Sequence, residues 1–161
     1  MPTDTTERVH LSVGDAQALA ERAMRGIGYD AAEARILAEH VIDAALCGYE
    51  YSGLPKLLNI ADYPRFNAPR RPLSVLKETS VSVFFDGGNQ NGMVGMYHAT
   101  RAVIERARPH GLALVAVRNL WMSGRSAHYV EMAARAGRAR RAPRPRAEGC
   151  RAAGETGDRC P

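Results

Sequence analysis

The spacing of apolar residues predicts two helices at the start of the chain. Apolar positions recur every three to four residues after Ser12, which predicts a helix that begins at Ser12 or Val13 and ends at Gly26-Ile27-Gly28. Asp30, with Glu33 three residues later, is typical of a capping box and predicts a second helix that continues to about Cys47. The inward positions are Ala16, Leu19, Ala20 and Ala23 in the first helix and Ala34, Leu37, Val41, Ala44 and Ala45 in the second.

Shorter elements flank these two helices. The stretch RVHLS, residues 8–12, is a candidate strand before the first helix. Residues 52–61 predict a third helix, with Pro55 tolerated in its first turn. A connector rich in proline and arginine follows at residues 63–72.

The pattern then changes to β-rich runs and further helices. The stretch LSVLKETSVSVFFDGGN predicts two strands on either side of residues 78–80, followed by a hairpin-like turn at Asp86-Gly87-Gly88-Asn89. A helix is expected from about Met93 to Arg108, ended by Pro109-His110-Gly111. Its inward residues are Met96, Ala99, Val103, Ile104 and Ala107. The continuous apolar run LALVAV, residues 112–117, predicts a buried strand, and residues 125–136 begin another helix.

This order of elements predicts a mixed α/β (α+β) fold. An N-terminal helical segment, residues 1–72, precedes a β-α-β-α unit at residues 73–137. A buried strand needs neighbours on both sides, and only three candidate strands precede residues 112–117. We therefore expect the β-α-β-α unit to be incomplete.

Charge is distributed unevenly between the body and the last 24 residues. The whole chain of 161 residues has a formal net charge of +5, but residues 138–161 hold seven arginines against three acidic residues. Residues 1–137 are therefore almost neutral, with both signs interspersed, and do not predict a nucleic-acid partner.

The tail at residues 138–161 is expected to be disordered because it contains no Ile, Leu, Val, Met, Phe, Tyr or Trp. Most of it is Arg, Ala, Gly and Pro, the composition that a shifted reading frame in GC-rich coding sequence would produce. A solvated low-complexity tail and an arm for nucleic acid are the two alternatives. The arm lacks the aromatic residues that usually accompany basic ones at single-stranded nucleic acid.

Cysteine and hydropathy patterns exclude other classes of protein. Cys47, Cys150 and Cys160 show neither a disulfide framework nor a zinc-ligand spacing, so no metal is expected. No apolar run approaches the length of a membrane span, and MPTDTTERVH lacks the apolar region of a signal peptide. These features predict a cytoplasmic protein without a membrane partner.

Three stretches together resemble the malate/L-lactate dehydrogenase family, which is distinct from the Rossmann-type lactate dehydrogenases. They are AEARILAEHVIDAALCGYEYSGLPKLL, FFDGGNQNGMVGMYHATRAVIERARPHGLALVAVRN and SGRSAHYVEMAARAG. The resemblance implies the family's own fold, an oxidoreductase that uses NAD or NADP, a small 2-oxo, 2-hydroxy or cyclic-imine carboxylate as substrate, and a homodimer. It makes residues 73–137 part of a cofactor-binding region. Full-length members are longer, so the resemblance also implies a chain truncated or frameshifted after about residue 137.

The first motif of the family departs from its usual pattern here. Where members carry a G-H-x-S-H-G-like motif, this chain has Gly48-Tyr49-Glu50-Tyr51-Ser52-Gly53. The resemblance puts Ser52 in place of the histidine that acts as proton donor and Tyr51 in place of the serine, and these are the candidate catalytic residues. Lys56, where members often have an arginine for the substrate carboxylate, and Tyr49 are the candidate substrate-binding residues. A serine hydroxyl is a much poorer acid than an imidazole, which puts the activity in question.

The second motif is the family's N-x-x-H-F-G segment near the cofactor. It corresponds to Asn119-Leu120-Trp121-Met122-Ser123-Gly124, with Met122 in place of the histidine. Met122, Ser123, Gly124 and Arg125 are therefore the candidate cofactor-binding residues. Hydroxyl and backbone N–H groups at the start of the next helix would bind a phosphate, with Arg125 adding charge. A polar turn and helix cap is the alternative.

Two hypotheses remain from the sequence. The first is part of an NAD(P)-dependent oxidoreductase, inactive as it stands. The second is a non-catalytic remnant that associates with a full-length relative, or with polyanions through its tail. His40, His98 and His128 lie in predicted helices, where isolated histidines are usually surface or satisfied groups.

Overall fold

The computed structural model describes residues 9–137 of the chain. The expectations for the tail, its disorder and any polyanion binding, lie outside the described residues. No helix in the described part is both long enough and apolar enough to cross a membrane.

Five helices and a three-stranded sheet confirm the predicted mixed α/β fold. In chain order they are α1 (Val13–Gly26), α2 (Ala31–Leu46), a 3-10 turn (Glu50–Ser52), α3 (Lys56–Ala61), β1 (Ser74–Glu78), β2 (Ser82–Asn91), α4 (Gly92–His110), β3 (Leu114–Trp121) and α5 (Ser126–Arg135). The order in the sheet is β1-β2-β3, with β1 antiparallel and β3 parallel to β2. Helix α4 connects the two parallel strands.

Side-chain caps fix the start of the first two helices as the sequence predicts. The Asp15 N–H donates to the Ser12 hydroxyl at 3.1 Å, and the Glu33 N–H donates to the Asp30 carboxylate at 2.8 Å. Each cap satisfies one of the backbone donors that a helix leaves unpaired at its N-terminus. Helix α4 continues through Pro109 to His110, two residues beyond the predicted end, and Gly111 caps it in a left-handed conformation with φ of 73°.

One apolar core joins the helices to the end of the sheet. It is built on α1, α2 and α3, together with two residues of α4 and the last residue of β3. The members are Ala20, Met24, Tyr29, Ala34, Leu37, Ala38, Val41, Leu57, Ile60, Met93, Val94 and Trp121. The predicted division at residue 72 lies where the helices are followed by strands. Whether it is a domain boundary stays a prediction.

Three predictions about the strands are wrong. Residues 9–12 form no strand and are exposed. The segment Asp86-Gly87-Gly88-Asn89 is not a hairpin turn, because β2 continues through it with an irregularity in its pairing to β3. The run at residues 112–117 is not buried: Leu112 and Leu114 are 72% and 68% exposed. Strand β3 lies at the edge of the sheet in the described part, whereas a strand needs cover on both faces to be buried.

The third helix also differs from its prediction. A 3-10 turn at Glu50–Ser52 comes first, and α3 begins only at Lys56, directly after Pro55. Proline has no N–H to donate and fits the beginning of a helix, where donors are unpaired in any case.

Asn89 ties the segment between α3 and β1 to the sheet. Its Oδ1 accepts a hydrogen bond from Arg65 Nε at 2.8 Å, and its Nδ2 donates to the carbonyls of Arg65 and Ala68 at 3.1 and 3.3 Å. Its own carbonyl accepts from Trp121 Nε1 at 2.9 Å. Asn89 has φ of 62° and follows Gly88 with φ of 59°. Asparagine tolerates this left-handed region better than most residues, which makes the irregularity in β2 possible.

Candidate functional site

The loop at residues 122–125 connects β3 to α5 and has a constrained backbone. Met122 and Gly124 both lie in the left-handed region, with φ of 56° and 71°. For a methionine this conformation costs about 1–2 kcal/mol, and strained residues of this kind concentrate at functional sites. Ser123 is exposed, whereas Met122 is partly buried and packs against the apolar core. We call this segment the 122–125 loop.

His40 of α2 lies directly under the 122–125 loop. The Arg125 N–H donates to His40 Nε2 at 2.8 Å. A Cβ at Gly124 would lie 2.2 Å from the same nitrogen, so only glycine fits there. His40 is 1% exposed, and burial, together with the nearby charges of His128 and Arg125, lowers its pKa to about 4.

The side chain of Arg125 is held by two carboxylates. Its guanidinium donates to Asp43 Oδ2 at 2.6 Å and to both oxygens of Glu131 at 3.0 and 2.9 Å. These hydrogen bonds, first to Glu131 and then to Asp43, raise the pKa of Arg125. With its side chain only 9% exposed, Arg125 ties α2 to α5. The interpretation of Arg125 as a free charge for a phosphate is not supported by this arrangement, and its place in a cofactor site otherwise stays a prediction.

Asp43 also binds a histidine of α5. His128 Nδ1 lies 3.0 Å from Asp43 Oδ2. Partial burial opposes ionisation of Asp43, but the hydrogen bonds from Arg125 and His128 outweigh it and hold the pKa of this carboxyl below its usual range. An imidazole oriented through one nitrogen by a carboxylate is able to exchange a proton at the other.

Tyr129 holds the loop within its span, and Trp121 lies directly before the loop. The Tyr129 hydroxyl donates to the Ser123 carbonyl at 2.5 Å, and burial raises the pKa of Tyr129. Trp121, the last residue of β3, is 4% exposed. The Ser123 hydroxyl makes no hydrogen bond within residues 9–137. The contacts of Tyr129 and Trp121 therefore hold the loop in place, and the Ser123 hydroxyl faces solvent.

The other candidate residues lie around the 3-10 turn that follows α2. Tyr49 and Tyr51 are 57% and 72% exposed, and Ser52 is half-buried. Lys56 Nζ lies 5.0 Å from the centre of the Tyr51 ring, within reach of a cation–π interaction. The structure thus brings Tyr51 and Lys56 together, while the roles predicted for them stay predictions.

These two groups of candidate residues pack on different sides of α2. The 3-10 turn packs on Ala45: a Cβ at Gly53 would lie 3.0 Å from the Ala45 Cβ. His40 and Ala45 are about 140° apart around a helix of 3.6 residues per turn. Helix α2 therefore connects the two groups. None of the hydrogen bonds described above joins one group directly to the other.

Sequence reasoning missed the network beneath the loop. His40, His98 and His128 were interpreted alike as surface or satisfied helix histidines, but only His98 is exposed, and His40 Nδ1 is buried without a hydrogen-bond partner. A signal was present: residues 40 and 43 are three apart, so a histidine and an aspartate share one face of a predicted helix. Its significance depends on α5, which only the fold brings into contact.

A second polar cluster lies where β2 and β3 come to the end of their regular pairing. Asp86 accepts hydrogen bonds from the Gly88 N–H at 2.8 Å, from Asn119 Nδ2 at 3.1 Å and from Arg118 Nε at 3.0 Å. The first of these contributes most to holding the pKa of Asp86 below its usual range.

No group of three or more His, Cys, Asp or Glu residues in the described part is placed to hold a metal ion.

The chain is similar in sequence to known dehydrogenases. The model of the malate/L-lactate dehydrogenase family matches residues 11–140. Hydroxycarboxylate dehydrogenase B of Escherichia coli strain K12 is 31% identical over 129 residues, which are 76% of this chain and 36% of that protein. L-lactate dehydrogenase of Cupriavidus necator is 36% identical over 104 residues, 63% of this chain and 30% of that protein.

The fold agrees with that of a solved relative. Malate dehydrogenase from Pyrococcus horikoshii OT3 superposes with a TM-score of 0.76 at 24% identity, covering 80% of this chain and 38% of that one. The chain thus spans about a third of the length of the proteins it matches. On the family match, this chain belongs to the malate/L-lactate dehydrogenase family.

Proposed function

We propose that the chain forms part of an oxidoreductase that transfers a hydride between NAD or NADP and a small 2-oxo, 2-hydroxy or cyclic-imine carboxylate. The observation that carries the proposal is the 122–125 loop, a constrained glycine turn between β3 and α5 in a chain of this family. Ligands of α/β proteins commonly bind at the carboxyl ends of parallel strands and at helix N-termini.

The residues present fit a nucleotide phosphate at this loop. Helix α5 has no side-chain cap. The His128 N–H donates to the Arg125 carbonyl at 3.2 Å, which leaves the N–H groups of Ser126 and Ala127 for another acceptor. The exposed Ser123 hydroxyl lies beside them, and Gly124 is exposed on the side of the loop that faces away from His40. When bound, the nicotinamide nucleotide would supply the hydride chemistry. Met122, Ser123 and Gly124 would hold it, and Arg125, whose backbone N–H donates to His40, would position the loop.

The substrate would bind near the 3-10 turn. Lys56 provides the positive charge for a carboxylate, as a point charge without the bidentate geometry of arginine. Tyr49 would bind the substrate, and Ser52 and Tyr51 would position it or relay a proton through water. We further propose that the chain alone does not turn over, because both family histidines are replaced and most of the length of its relatives has no counterpart here. A homodimer and a cytoplasmic location belong to the same proposal.

Nucleotide binding tests the cofactor part of the proposal. The chain has one tryptophan, Trp121, next to the loop, so its fluorescence reports NADH or NADPH titrations. Ser123→Glu would place a negative charge beside the phosphate and should weaken binding about tenfold or more. Ser80→Glu, which adds the same charge between β1 and β2, should leave the affinity unchanged. Equal affinities in both variants would contradict the proposal.

A carboxylate titration tests the substrate part. The chain has two lysines, Lys56 and the exposed Lys77 of β1. Lys56→Met should weaken binding of pyruvate, used as a 2-oxo acid probe, by about tenfold, because a charge-assisted hydrogen bond contributes about 1.5–3 kcal/mol. Lys77→Met should have no effect. Equal effects of the two substitutions would show that the carboxylate binds elsewhere.

The second candidate function is association without catalysis. The observation that favours it is the edge of β3, where Leu112 and Leu114 are exposed and no further strand of residues 9–137 pairs with it. Exposed apolar edge strands promote pairing with another chain. Leu114→Lys should then reduce self-association in sedimentation experiments, and unchanged association would count against this candidate.

A further inference from the structure

We infer that His40 is a positioning residue for the 122–125 loop, holding the proposed cofactor-binding backbone through an unprotonated Nε2 and through the shape of its ring. The inference rests on the proposed function in one respect, namely that this loop binds the nucleotide. Three features of the contact between α2 and the loop support it.

The hydrogen bond fixes the protonation of His40. A backbone N–H only donates, so the Arg125 N–H at 2.8 Å requires Nε2 to be unprotonated and to accept. The proton of the neutral ring is then on Nδ1, which is buried without a partner in the described residues. A buried unpaired donor costs about 1–3 kcal/mol, so an apolar side chain would serve packing alone at lower cost. The position of Nε2 is the property that distinguishes histidine here.

The ring also determines the shape of the loop. The position that a Gly124 Cβ would occupy lies 2.2 Å from Nε2, 2.9 Å from Cδ2 and 3.0 Å from Cε1 of His40. The imidazole therefore fills the space beside a left-handed glycine with φ of 71°. Because close-packed interiors have few voids, loss of the ring would allow the backbone of the loop to move inward.

Burial, with two neighbouring groups, keeps the ring neutral. From α5, the His128 ring lies 4.6 Å from the His40 ring between centroids, and Arg125 of the loop adds a fixed positive charge. Burial and these two groups disfavour the imidazolium, and Asp43 of α2 opposes them only in part. Nε2 consequently remains an acceptor throughout the neutral pH range.

The contact sets the relative position of the two groups of candidate residues. Helix α2 leads directly into the turn that carries Tyr51 and Ser52, and His40 joins the same helix to the loop. His40 thereby fixes the distance between the proposed substrate and nucleotide sites without touching either ligand.

Two substitutions separate this role from simple packing. His40→Gln keeps an acceptor near the position of Nε2, and His40→Leu removes it. Hydrogen exchange of the Arg125 amide, measured by NMR, reports the loop directly, and Trp121 fluorescence reports the affinity for NADH and NADPH. His98→Leu, at an exposed histidine of α4, is the control.

We expect His40→Leu to accelerate exchange of the Arg125 amide and to weaken nucleotide binding, each about tenfold, the effect of losing one hydrogen bond of about 1.4 kcal/mol. His40→Gln should restore both to within about threefold of the wild-type chain. Unfolding curves and amide spectra verify that each variant is folded.

Three outcomes would overturn the inference: unchanged Arg125 exchange in His40→Leu, faster exchange with unchanged nucleotide affinity, or no restoration by His40→Gln in a folded chain. If the wild-type chain bound neither nucleotide, the proposed function would fail, and Arg125 exchange in the Leu and Gln variants would alone decide whether His40 positions the loop.

Discussion

Tyr63 and Trp121 stack face to face, with ring centroids 4.8 Å apart and planes 6° from parallel. Tyr63 belongs to the segment after α3, and Trp121 is the residue before the 122–125 loop. Since Trp121 Nε1 also donates to the Asn89 carbonyl at 2.9 Å, the indole is held by its face and its edge. The beginning of the loop is therefore fixed by contacts from two distant parts of the chain.

Removal of the stacking partner should loosen Trp121. We expect Tyr63→Leu to lower the free energy of unfolding by about 1 kcal/mol beyond the loss of buried area. The emission of Trp121 should shift to longer wavelength as water reaches the indole. Tyr97→Leu, at another half-buried tyrosine, one that contacts the exposed His98, should leave the emission unchanged. Identical spectra for all three proteins would contradict the prediction.

Gly124 and Gly111 provide a matched test of the contact with His40. Their φ angles are 71° and 73°, but a Cβ at Gly111 would meet nothing within 4 Å. Gly111→Ala should therefore cost only the backbone strain, about 1 kcal/mol. Gly124→Ala should cost about 3 kcal/mol, because it must also displace His40. Urea denaturation measures the free energy of unfolding of both variants. Equal losses would show that displacing the His40 ring costs no stability.

His40 should make stability depend on pH between its folded and unfolded pKa values. The folded value of about 4 lies below the ordinary 6.5, so the unfolded state takes up a proton first as pH falls. Stability from this group is complete above pH 6.5 and is lost as pH falls towards about 4, in total on the order of 3 kcal/mol. His40→Leu should flatten this part of the stability profile measured by urea denaturation. A profile of unchanged slope would refute the assignment.

The ion pair between Arg125 and Asp43 should be stronger than a surface pair. Arg125→Gln and Asp43→Asn, alone and together, should give a coupling free energy of about 2 kcal/mol in a double-mutant cycle. We expect less than for a fully buried pair because the Asp43 side chain is 22% exposed. Arg35 and Glu39, exposed by 71% and 45%, form the control, and their coupling should be much smaller because solvent screens an exposed pair. Equal coupling energies would show that partial burial does not strengthen the pair between Arg125 and Asp43.

Helices were predictable because their signals are local. Ser12, Asp30 and Gly111 mark helix ends through caps that involve residues within four positions, and the structure has each of them in that role. The mixed α/β class followed from the order of these elements. The contact between Tyr51 and Lys56 was not predicted, although the two are only five residues apart.

The strands and the buried network depend on distant partners and were not predictable in the same way. Gly88 and Asn89 have the composition of a turn, but hydrogen bonds from Asn89 to residues more than twenty positions away keep them in β2. The spacing of His40 and Asp43 is a local feature that His98 lacks, but it does not reveal a role by itself. The role of His40 comes from Arg125, which is 85 positions away in the sequence.

The bonds of Asn89 have a consequence for motion. The segment between α3 and β1 contains no helix or strand and would be the natural hinge between the helices and the sheet. Bending there would break several hydrogen bonds at once, each contributing about 1 kcal/mol, as well as the stack on Trp121. The bonds of Asn89 and the stack on Trp121 therefore resist bending at this segment and hold it against the sheet.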